Sequence, residues 1–115
     1  MIESIISMEL PAGGHLAIRR NRICPEQETK QCRRISLVSG IHGDELEGQY
    51  ICYETARRVK EHPEYLKGIV DIYPALNPLG IDMASRTVPR LEMDMNRMFP
   101  GDASGDMMEL SLIHI

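Results

Sequence analysis

At 115 residues the chain is one domain's worth or less, and with 43% hydrophobic and 26% charged residues it has the balance of globular material with a small core. A formal net charge of −4 leaves no electrostatic footprint for nucleic acid, and no apolar run is long enough to span a bilayer. Cys24, Cys32 and Cys52 are odd in number and form no CxxC pair, and the first residues lack the basic start and apolar centre of a signal peptide. The expectation is therefore a cytoplasmic protein without a disulfide framework, contacting neither nucleic acid nor membrane.

In chain order, residues 1–8 and 15–20 read as short strands joined by the turn "PAGG". Residues 21–34 are polar with one proline and read as a loop or hairpin connection. Ile35, Leu37 and Val38 form a short β-prone run that stops at Gly40, the pattern of a buried strand. A helical period follows. Leu46, Tyr50, Tyr53 and Ala56 recur at steps of four, three and three and make one apolar face. Asp44, Glu45 and Glu47 fall in its first turn and Arg57, Arg58 and Lys60 near its end, where the helix dipole favours each sign, and Pro63 stops it. Residues 68–76, "GIVDIYPAL", read as a second buried strand. Strand, helix and strand make a βαβ unit, so the class is α/β. Beyond "NPLG" the chain is irregular as far as Asp106 and Glu109, which suit the start of another helix. An irregular connection of that length is commonly functional.

The chemistry concentrates in residues 40–48, "GIHGDELEG". In a strand–turn–helix unit ligands gather at the strand's carboxyl end, where His42 falls, with Glu45 three residues on. An imidazole and a carboxylate converging on one point can bind zinc, and a further His would complete the three-ligand open site of hydrolytic zinc, where a bound water becomes a nucleophile near neutral pH. Standing alone, the pattern reads first as helix punctuation, because acids belong in a first turn and His is common at turns. Downstream, Arg86, Arg90, Asn96 and Arg97 share one irregular segment. Guanidinium groups clamp carboxylates through paired hydrogen bonds, and one beside a metal stabilises an oxyanion. The competing reading pairs these arginines with Glu92, Asp94 and Asp102 on a solvated surface. His15 and His62 have no partner at ligand spacing, and Cys52 reads as a small buried residue.

"GIHGDELEG" followed by "NPLG", "SRTVP" and "DMNRMFPG" resembles the succinylglutamate desuccinylase/aspartoacylase branch of the zinc carboxypeptidase-like hydrolases, over about residues 35–102. The resemblance implies the N-terminal part of a zinc-carboxypeptidase-like (phosphorylase/hydrolase-like) α/β fold with a mixed central sheet. It implies zinc as cofactor, His42 and Glu45 as metal ligands, and Arg86 as the catalytic arginine that polarises the scissile carbonyl. Asn96 and Arg97 would hold the substrate carboxylate, and Arg90, placed with them as a substrate-binding residue, is the alternative to Arg86 for the arginine beside the metal ligands. Asn77–Pro78 and Phe99–Pro100–Gly101 would be scaffold turns. The implied reaction is zinc-dependent hydrolysis of an amide bond in a small carboxylate-bearing substrate.

The same resemblance leaves two parts missing, a third zinc-binding His and a general-base Glu. His114 follows Arg97 too closely to be that ligand. Residues 1–109 are accordingly expected to be the N-terminal portion of a zinc-hydrolase domain, inactive by itself. Residues 110–115, "LSLIHI", resemble translated sequencing-adapter read-through. A peptide carboxypeptidase of the same superfamily and a non-catalytic module for acidic ligands are the alternatives. The oligomeric state is not readable.

Overall fold

The computed structural model describes residues 1–27 and 31–115. Strands β1 (Ile2–Glu9) and β2 (His15–Ile23) form an antiparallel hairpin around the turn at Pro11–Gly13. β2 runs three residues further than expected, because Asn21, Arg22 and Ile23 pair with Ile72, Asp71 and Val70. The rest of the expected connection is irregular, and its residues 28–30 lie outside the described ones. Next come β3 (Arg34–Val38), helix α1 (Glu47–Glu61) and β4 (Ile69–Tyr73). β3 and β4 pair in parallel, so the expected βαβ unit is present, and the sheet order β1-β2-β4-β3 is mixed. Short helices α2 (Pro78–Asp82) and α3 (Met107–Leu112) follow. Among the described residues no helix is long and apolar enough to cross a membrane.

Strand periodicity sorts the core onto two faces of the sheet. Ile23, Val70 and Ile72 meet Cys52 of α1, with Ala56 and Val59 packed beside them. On the other face Ile18 joins Leu76, Val88, Met95, Met98, Met108 and Leu112. Three of its seven buried members, Val88, Met95 and Met98, come from the irregular segment, where flexible Met side chains fill gaps that regular elements would leave. α3 begins as expected: the Asp106 carboxylate accepts from the N–H of Met108 and Glu109, while Glu109 accepts from the Asp106 N–H. Of residues 110–115, Leu112 belongs to this core and Ile115 packs against it. Leu112 is buried, and the Tyr73 hydroxyl donates to the His114 carbonyl.

Three expectations are corrected. β4 is buried throughout, but β3 is the sheet edge, and Ile35 stands 56% exposed. The helix buries a different face from the one its large apolar residues mark: Leu46, Tyr50 and Tyr53 are more than 60% exposed, while Cys52 is buried. Both sets obey helical spacing and share Ala56. The sheet takes the smaller side chains, which let the helix axis approach closely. The helix also starts at Glu47 rather than at Asp44, so Glu45 precedes its first turn.

An ionic cluster on the sheet was not expected either. Asp71, in the middle of β4, is 1% exposed at its side chain and accepts two hydrogen bonds from Arg22, its cross-strand neighbour, at 2.7 and 2.8 Å. Arg34 and Arg20 approach it at 3.6 and 3.8 Å, and Arg20 is held by Glu3, the residue opposite it on β1.

Candidate functional site

The site is built where β3 ends. Residues 38–41 leave the strand and turn over the carboxyl ends of the parallel pair. Gly40 takes φ +66°, a left-handed conformation that costs little without a Cβ. Gly43 is needed for another reason: a Cβ there would lie 1.9 Å from the Gly80 carbonyl carbon and 2.0 Å from its oxygen. The loop carrying His42 is thus pressed onto α2. Asn77, fully buried, ties this region together. Its Oδ1 accepts from Gly80 N–H, and its Nδ2 donates to the carbonyls of Ile41 and Thr87. The Gly43 N–H donates to the Ser85 carbonyl at 2.8 Å. These bonds dock the Arg86 segment beside the His42 loop, which accords with the scaffold role expected of the Asn77–Pro78 turn.

We expect Gly43→Ala to cost about 3 kcal/mol of stability, because backbone meets backbone with no flexible side chain to yield. Urea unfolding measures it; a change below about 0.5 kcal/mol would mean that the loop and α2 separate freely.

The side chains converge. His42, one-tenth exposed, lies between two carboxylates: its Nδ1 is 3.2 Å from Glu45 Oε1 and its Nε2 is 3.0 Å from Asp94 Oδ1. Arg86 reaches both acids, Nη1 at 3.4 Å from Glu45 and Nη2 at 3.7 Å from Asp94. Asp94 also caps the turn of 3-10 helix at Met95–Arg97 by accepting from Asn96 N–H. The His42 ring, the Asn96 N–H and Arg86 together hold the Asp94 carboxyl below the usual carboxylate range, against the opposing effect of desolvation.

His42, Glu45, Glu47 and Asn96 line one open cleft of about 330 Å³ with residues 38–41 and Gly48. Of the expected site residues, His42, Glu45 and Asn96 share this cleft, and Arg86 joins them through its contacts with Glu45 and Asp94. Arg97 and Arg90 are exposed, and among the described residues neither makes an ion pair. Arg90 occupies a tight turn with φ +73°. Of the two arginines that competed for a place beside the metal ligands, only Arg86 contacts Glu45.

The donor set suits zinc in kind: an imidazole nitrogen and a carboxylate oxygen face one another, and the second ring nitrogen is held by a carboxylate, as is usual for a metal-bound His. It is incomplete in number, because among the described residues no group of three or more His, Cys, Asp or Glu side chains is placed to hold a metal. Asp94 was missed as a site residue. Its sequence signal was the Asp two residues before Asn96 at the start of a turn, which reads equally as an ordinary cap.

A mixed α/β sheet with a polar cleft at the carboxyl ends of its parallel strands is the ligand-binding arrangement of open α/β enzymes. Within that class the assignment is definite: the model of the succinylglutamate desuccinylase/aspartoacylase catalytic domain matches residues 31–113, and the chain belongs to this family. Over 73 residues it is 36% identical to the N-alpha-acetyl-L-2,4-diaminobutyric acid deacetylase of Halomonas elongata, a match covering 64% of this chain and 21% of that protein. The crystal structure of a succinylglutamate desuccinylase/aspartoacylase from Rhodobacter sphaeroides aligns with a TM-score of 0.70 at 32% identity, covering 88% of this chain and 29% of that one. A product-bound ectoine utilization protein from Ruegeria pomeroyi aligns with a TM-score of 0.75 at 24% identity, over 99% of this chain and 34% of that one, a likeness of fold. The chain spans about a third or less of the length of each.

Proposed function

We propose that these residues belong to a zinc-dependent amidohydrolase that removes the acyl group from a small N-acylated amino acid. The observation that carries the reading is that His42, Glu45 and Asn96 line one cleft and Arg86 contacts Glu45, within a chain of this family. The relative from Halomonas elongata, named as a deacetylase of an N-acetylated amino acid, supports the reaction class.

In this reading His42 and Glu45 would hold zinc, while Asp94 fixes the His42 ring through Nε2. When bound, zinc acts as a Lewis acid toward the amide carbonyl and acidifies water. Arg86, already beside Glu45, offers its guanidinium to the oxygen on which negative charge develops as the carbonyl is attacked. Asn96 and Arg97 anchor the substrate carboxylate, so that the scissile bond is presented in one orientation. With two protein donors, the 115 residues by themselves hold zinc weakly and turn over little or no substrate.

The test is deacylation by the product of the complete reading frame. It should release acetate or another acyl acid from an N-acyl amino acid and lose that activity on chelation. Arg86→Ala should lower kcat/KM by about a hundredfold or more. A complete product that binds such compounds without hydrolysing them, with or without added zinc, would overturn the enzyme reading in favour of a binding module.

A further inference from the structure

We infer that Glu47 is a specificity residue of this cleft, reading a cationic amine at the far end of the substrate's side chain. The inference rests on the deacylase reading above and names the substrate more narrowly. The other carboxylates of the site are committed: Glu45 faces His42 and Arg86, and Asp94 faces the same two partners. Glu47 lines the same cleft, is exposed, and among the described residues carries no ion pair or side-chain hydrogen bond. It is therefore the uncompensated negative charge on the cleft wall.

Its position is fixed by packing. Glu47 is the first residue of α1, and the next residue, Gly48, sits so close to the end of β3 that a Cβ there would lie 3.0 Å from Ser39 Cβ. The start of the helix is thereby seated against the cleft floor. The helix terminus brings a positive partial charge of about one half, which offsets only part of a full carboxylate charge, so this wall stays acidic. Glu47 lies two positions after Glu45, with Leu46 alone between them, a backbone reach of at most about 7 Å. One small molecule spans that distance. A substrate whose amide lies at His42 and Glu45, and whose side chain ends in an ammonium a few methylenes away, brings the ammonium to Glu47. A neutral side chain leaves Glu47 to water, and an anionic one meets repulsion.

The experiment uses three Nα-acetyl amino acids of similar length: the ornithine derivative with its cationic amine, the neutral norvaline derivative and the anionic glutamate derivative. Each is titrated calorimetrically into the product of the complete reading frame, stripped of metal so that turnover does not intrude. The ornithine derivative should bind about fivefold more tightly than the norvaline derivative, with the glutamate derivative weakest, and the preference should shrink as salt is raised. Glu47→Gln should bring the ornithine and norvaline derivatives level, and Glu47→Asp should keep part of the difference, with circular dichroism confirming that both variants fold. Equal binding of the two in the unaltered protein, or a preference that survives Glu47→Gln, overturns the inference and leaves the deacylase reading standing. A variant that is less stable but equally selective also overturns it, and reduces Glu47 to a helix-start acid. If none binds the stripped protein, the same order and the same Glu47→Gln response are read in kcat/KM of the zinc-loaded protein, and failure there as well overturns both readings.

Discussion

Asp71→Ala is expected to destabilise the fold by about 3 kcal/mol, as an uncompensated buried charge network does when one partner is removed. The side chain is 1% exposed and accepts a paired hydrogen bond from Arg22, with Arg20 and Arg34 within 4 Å. Removing the carboxylate leaves three guanidinium groups facing one another over the middle of the sheet. Arg22 keeps about a quarter of its side chain in water, which sets the figure at the lower end of the range for buried pairs. The double replacement Arg22→Met with Asp71→Leu should recover most of the loss, because it removes the desolvation cost along with the attraction.

The same cluster predicts acid sensitivity. The Arg22 hydrogen bonds hold the Asp71 carboxyl below its ordinary value, more strongly than desolvation raises it. A carboxyl depressed in the folded state contributes stability that is complete above the unfolded pKa of about 4 and is lost as pH falls through the folded value. Urea midpoints measured between neutral pH and about pH 3 should therefore fall more in the native chain than in the double variant. A loss under about 1 kcal/mol for Asp71→Ala would show that the arginines are solvated well enough to need no partner.

Much of this arrangement was legible in sequence because it depends on local period. The β-prone runs around Leu37 and Ile72, with a helical period between them, sufficed for the βαβ unit. His42 and Glu45 sit three residues apart, so their convergence needs only the turn that the neighbouring glycines allow. What was not legible depends on phase and distance. The helix could be turned to bury Tyr50 and Tyr53 or Cys52 and Val59, and only the sheet's demand for small side chains decides between them. Asp71 occurs in a run otherwise apolar from Ile69 to Tyr73, and nothing local says that Arg22, 49 residues earlier, will lie opposite it. Asp94 lies 52 residues from His42, and the bonds that dock residues 85–87 beside the His42 loop run through Asn77 and Gly43, residues with no charge to draw attention.

Zinc affinity should respond to the four site residues with different signs, which distinguishes a metal site from an ordinary surface ion cluster. In the product of the complete reading frame, His42→Ala and Glu45→Ala each remove a proposed donor and should abolish stoichiometric binding in a calorimetric titration. Asp94→Asn leaves both donors in place but weakens the hold on the His42 ring, so the affinity should fall by about 10- to 100-fold, the usual cost of losing a partner behind a metal-bound His. Arg86→Ala should act in the opposite direction. Its guanidinium lies 3.4 Å from the Glu45 oxygen and competes with any cation for that carboxylate, so its removal should raise zinc affinity while lowering turnover. A surface cluster with no metal role would bind zinc equally poorly in all four variants. The 115-residue chain supplies the remaining contrast. With two donors it should bind zinc only weakly, and a submicromolar constant abolished by both His42→Ala and Glu45→Ala would mean that a further donor lies within these residues and the site is complete as it stands.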